Sequence, residues 1–93
     1  MKLKDIIKAK RIEKKYSQVK LAKTLGYSSG QFVSNWERGE SYPPMDRLAK
    51  IALIFEIEKE YLIDLFLKEY SDLKRKEYLK AYGFHEYNMK SSK

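Results

Sequence analysis

A chain of 93 residues, 43% hydrophobic and 35% charged, is long enough for one small domain with a core and too apolar for wholesale disorder. Cysteine is absent, which excludes disulfides, a thiolate metal centre and a cysteine nucleophile. The net charge of +7 is one-sided, because residues 1–55 hold 12 Lys/Arg against 5 Asp/Glu and residues 56–93 hold 8 of each. Such a field suits a polyanion. The longest apolar runs, "IALIF" and "LFL", are too short to cross a bilayer, and "MKLKDIIKAKRIEKK" lacks the apolar stretch of a secretion signal. A cytoplasmic protein without a membrane partner is expected.

In chain order, Leu3 to about Lys15 predicts a helix, with Leu3, Ile6 and Ile7 on its apolar stripe. Continuing that stripe places Arg11 on the buried side, where it needs a carboxylate or carbonyl partner. The lysines Lys2, Lys4, Lys8, Lys10, Lys14 and Lys15 read as a solvated face, with one or two near phosphate. Ser17 is placed to cap a second helix, whose buried side is Leu21, Ala22 and Leu25 and whose end is Gly26. Ser28 or Ser29 caps a third helix, about Gly30 to Trp36, with Phe32, Val33 and Trp36 as its apolar side.

"RGESYPP" is a turn: Gly39 stops the third helix, and Pro43-Pro44 preset the fourth. Leu48, Ile51, Ala52 and Phe55 repeat at helical spacing. A fifth helix starts near Glu58, with Tyr61, Leu62, Leu65 and Phe66 apolar, and helix propensity persists to Gly83. The end of the chain, "HEYNMKSSK", reads as a frayed tail. The expected architecture is all-α: a compact five-helix domain over residues 1–67 and a helical extension with its tail over residues 68–93.

Two short helices joined through a glycine-containing turn form a helix-turn-helix. The second helix of such a pair can lie in the major groove with its N-terminal residues at base edges. That explains a helix rich in Ser, Gly, Gln and Asn, all mediocre helix formers. Gln and Asn make paired hydrogen bonds to adenine, Ser donates or accepts, and glycine permits close backbone approach. Gln18, at the start of the preceding helix, is placed with backbone N–H groups to hold a phosphate.

"SQVKLAKTLG", "VSNWERG" and the downstream "LAKIALIFEIEKEYL" closely resemble the phage-repressor and Cro-like helix-turn-helix family, the XRE family. The resemblance covers Leu3 to Leu65, about two-thirds of the chain, and implies a lambda-repressor-like fold. It implies that Gln18 clamps phosphate and that Arg11 and Glu37 form an internal salt bridge. It places Gln31, Phe32 and Asn35 toward bases, with Ser29 and Gly30 at the leading end. Ser28 and Ser34 flank the phosphates, and Arg38, Ser41 and Tyr42 fall in a loop along the backbone. Phe32 is read either as packing or as touching a thymine methyl. Two departures stand out: "GYSSG" is one residue longer than the common turn, and Glu56 replaces a common glycine.

These readings converge on a transcriptional regulator, of the repressor kind, binding double-stranded DNA as a homodimer on a palindromic operator. Leu62, Phe66, Tyr70 and Leu73 are the dimer candidates. The alternative is a protein-interaction module, such as an antitoxin-type protein, that uses the C-terminal extension for its partner. RNA binding is weaker, since neither an aromatic sheet nor a GXXG loop is present. No Ser–His–acid spacing, phosphate loop or second ligand for His85 supports catalysis, a cofactor or a metal.

Overall fold

The structure, a computed structural model, describes residues 1–83. Five helices follow one another: α1 Leu3–Glu13, α2 Gln18–Thr24, α3 Gln31–Glu37, α4 Met45–Phe55 and α5 Lys59–Ala81. No strand occurs among the described residues. His85 and the expected frayed tail lie outside them.

The apolar stripes meet in one core. Leu3, Ile6 and Ile7 enter it from α1, Leu21, Ala22 and Leu25 from the second helical segment, Val33 and Trp36 from α3. Leu48, Ile51, Ala52 and Phe55 close it from α4, and Leu62 from α5. Leu62 is completely inaccessible there. This corrects its expected place on a dimer surface: a side chain that fills the core has no area left for a partner.

Helix ends follow their local chemistry. Ser17 caps α2 by accepting the Lys20 N–H at 2.9 Å. Gly26 leaves that helix with φ +92°, a left-handed turn that other side chains resist. Glu56 takes the same conformation after α4, at φ +58°, which accounts for the glycine common at this place in the family pattern. The Ile57 N–H returns to the Ala52 carbonyl at 2.9 Å and completes the cap.

α5 runs for 23 residues without a break, so residues 67 and 68, the expected domain limit, lie within one continuous helix. At 1.5 Å per residue it is roughly 34 Å long. Its first half covers the core, and residues 71–78 are all exposed. The helix is nevertheless anchored at its middle: Glu69 accepts the Leu3 N–H at 2.7 Å, and Phe66 and Tyr70 pack on Tyr42.

Candidate nucleic-acid interface

The start of α1's partner network lies at its far end. Arg11 donates to Glu37 from Nε at 2.6 Å and from Nη2 at 3.1 Å, while its Nη1 reaches the Tyr16 carbonyl at 2.8 Å. The Glu37 side chain is 4% exposed and that of Arg11 12%. This is the partner that the apolar-face position of Arg11 demands. Gln18 Nε2 also donates to Glu37, at 3.0 Å, so one carboxylate orients side chains from α1 and α2 together. Gln18 therefore stands at the first turn of α2 with its amide held on one side.

The longer turn before α3 is filled by Tyr27. Its ring stacks on Phe32 with centroids 4.3 Å apart and meets Trp36 edge-on at 5.7 Å. The Arg47 guanidinium covers the same ring at 5.1 Å. Phe32 is thus braced by Tyr27 while remaining 45% exposed. Tyr27 and Arg47 were not legible as parts of the site; the only sequence signal is an aromatic directly after the helix-ending glycine.

Gly30 is closely approached by protein. A Cβ built there would lie 3.1 Å from Val19 Cγ2 and 3.2 Å from the Val19 nitrogen. Its small size therefore serves the crossing of α2 and α3, whereas the sequence reading gave that closeness to DNA. Ser29 rather than Ser28 bonds the start of α3, its hydroxyl accepting the Gln31 N–H at 3.0 Å. Both serines are exposed.

Along the outer side of α3, polar side chains form one connected strip. Gln31 Nε2 donates to Asn35 Oδ1 at 2.9 Å, and Arg38 Nη2 donates to the same oxygen at 2.6 Å. Arg38 Nη1 also donates to the Ser34 hydroxyl. On its other side Arg38 meets Glu40, through Nε at 2.9 Å and Nη2 at 3.2 Å. The hydrogen bond from Arg38 holds the Glu40 carboxyl below its ordinary range, and Glu40 raises Arg38 in return. The buried Val33 and Trp36 fix this strip to the core.

Of the loop residues, Ser41 is exposed, but Tyr42 is turned to the protein. Its ring contacts Phe66 and Tyr70 at 5.3 and 6.1 Å. Burial, then the Glu69 charge and a hydrogen bond to it, raise the Tyr42 phenol above its usual range. The ring of Tyr42, expected on phosphate, packs half-buried on α5 instead. Phe66 and Tyr70 share the correction in part, since each uses one face on Tyr42. Leu73 and Tyr70 still expose 43% and 41% of their surface.

The geometry is a helix pair with a connected polar strip along the outer side of its second member. A helix-turn-helix family model of the Cro/C1 type (the XRE family) matches residues 7–62, more than half of the chain. The chain belongs to this family. The match supports a DNA-binding helix-turn-helix regulator with a lambda-repressor-like fold. Neither the curated proteins nor the solved structures compared with it gave a match. No described helix is long and apolar enough to cross a membrane.

Proposed function

We propose that the protein is a sequence-specific transcriptional repressor that acts by occupying its operator. The observation that carries this is the hydrogen-bonded strip Gln31–Asn35–Arg38 along the outer side and C-cap of α3, whose opposite side is locked into the core. α3 enters the major groove, where the remaining amide groups of Gln31 and Asn35 meet base edges and Phe32 meets a thymine methyl. Gln18, Ser28, Arg38 and Ser41 lie on phosphates and set the register. Ser29 and Ser34 flank the reading residues.

The protein binds as a homodimer on half-sites about one helical turn, ~34 Å, apart. A single α3 contacts too few base pairs for genomic selectivity, and a second copy multiplies the discrimination. The exposed Tyr70 and Leu73 of α5, with the half-buried Phe66 beside them, are the surface for the second copy. Light scattering that finds a monomer at tens of micromolar, with and without DNA, counts against this arrangement.

Selection from a random duplex library at moderate salt tests the whole reading. An enriched palindrome is expected, and Gln31→Ala with Asn35→Ala should remove the enrichment without lowering the melting temperature. Retention of DNA without any enriched sequence would reject sequence-specific repression.

A further inference from the structure

A cleft of about 600 Å³ opens where the N-terminus of α1, the loop after α3 and the second half of α5 meet. Its floor is partly apolar, with Leu3, Ile7 and Trp36. Cations from three elements line it, Lys2 and Lys4 from the start of the chain, Arg38 from the loop, and Arg75 and Lys76 from α5, beside the acids Glu69 and Asp72. Sequence separation hides this arrangement, since α5 as a whole belongs to the part of the chain with no net charge.

The acids at the cleft are already engaged. Glu69 accepts the Leu3 N–H at 2.7 Å, and Asp72 faces Lys68 at 3.6 Å. Arg38 is matched by Glu40. Among the described residues, none of Lys2, Lys4, Arg75 and Lys76 has a carboxylate at ion-pair distance. Lys4 lies against the loop itself: a methyl placed on Gly39 would be 3.3 Å from its Cδ and 3.6 Å from its Nζ. Cations brought together from three elements over low-dielectric walls repel one another and focus a positive potential outward. An anion relieves that repulsion.

We propose that this cleft is a second phosphate-binding site, which takes the DNA backbone flanking the bases read by α3 and makes α5 part of the DNA interface. The proposal rests on the DNA-binding reading above and extends it, because Arg38 both lines the cleft and bonds Asn35 of the recognition strip. The phosphodiesters would run from that loop across the cleft to Arg75 and Lys76. The extension of α5 then lengthens the footprint beyond what a five-helix unit alone can cover.

Salt titration of binding to a mixed-sequence 30-base-pair duplex tests this with the full chain. Each phosphate contact contributes about 0.9 to the slope of log affinity against log salt. Arg75→Gln with Lys76→Gln should therefore flatten the slope by about two, leave the melting temperature unchanged and leave the sequence recovered by selection unchanged. Lys50→Gln with Lys59→Gln removes the same charge from exposed positions that do not line the cleft, and should flatten it far less. Equal slopes for the two double variants would overturn the cleft proposal while DNA binding stands. Failure of the unaltered protein to bind any duplex would overturn both readings. Inorganic pyrophosphate that raises the melting temperature only when Arg75 and Lys76 are present, with the duplex slope unaffected, would assign the cleft to a free anion and overturn the proposal.

Discussion

The Leu3 N–H and the Glu69 carboxylate, 66 residues apart, meet at 2.7 Å and join the beginning of α1 to the middle of α5. The first N–H groups of a helix have no partner within it, and Lys2 offers no side-chain cap. A carboxylate at that end satisfies one donor and opposes the positive end of the helix dipole. Glu69→Ala should destabilise the fold by about 1.5 kcal/mol, the range of a hydrogen bond to a charged group. In a domain of this size that lowers the melting temperature by about 6–12 °C. Glu69→Gln, which keeps an acceptor, should lose less. Identical melts for all three proteins would mean that α5 is not held at its middle.

The Arg11–Glu37 pair sets a larger dependence. Its carboxylate serves two Arg11 nitrogens and the Gln18 amide in a nearly inaccessible position. Removing the acid strands a guanidinium among core residues, so Glu37→Ala should cost about 3 kcal/mol. The same change frees the Gln18 amide, so DNA affinity should fall even at temperatures where the variant stays folded. A thermal melt that Glu37→Ala leaves in place would reject this account.

Much of the fold was legible because its signals are local. Ser17, Gly26, Gly39 and Pro44 punctuate the chain by backbone chemistry that each residue carries alone, and the stripes of α1 and α4 have the helical period. Arg11 was legible for a different reason: a charge on an apolar stripe demands a partner. What stayed hidden were contacts across the chain. Glu69 looks like one more surface acid on a charged helix, and only the packing of α5 brings it to Leu3 and Tyr42. Tyr42 was misplaced for the same reason, as a loop tyrosine carries no mark of the phenylalanine that will cover it. Leu62 was assigned to a partner because periodicity identifies a buried side without saying what buries it.

The Tyr42 phenol gives a pH dependence with a definite sign. Burial and Glu69 raise it in the folded protein above the ordinary value of 10.0, so the native state holds this proton more firmly than the unfolded chain. The stability contributed is complete below about pH 10 and is lost as pH rises through the folded value. Melts between pH 9 and pH 11.5 should therefore fall more steeply for the unaltered protein than for Tyr42→Phe. Every other group is common to both proteins, so the difference between the two curves is the measurement. Parallel curves would show that the Tyr42 phenol is neither buried nor beside Glu69 in solution.

Glu40 holds the guanidinium that a phosphate would need. Arg38 donates twice to it, and this bond keeps the carboxyl below its ordinary range. When Arg38 turns to a phosphate, Glu40 loses its partner and gains an anionic neighbour, so its affinity for a proton rises on binding. Binding must then take up protons, and DNA affinity should increase as pH falls through the carboxylate range while the protein remains folded. Glu40→Gln removes both the competition and the proton uptake. It should bind a mixed-sequence duplex more tightly at neutral pH, with a flatter pH dependence. The gain should be greatest at low salt, where exposed charges are least screened. Selectivity should decline at the same time: Arg38 also donates to Asn35 Oδ1, and a guanidinium no longer held by Glu40 fixes that amide less firmly. Competition between the selected operator and a scrambled duplex, run at pH 5 and pH 7.5 with both proteins, measures affinity, proton linkage and selectivity together. Equal affinities at neutral pH would mean that Glu40 does not compete for Arg38.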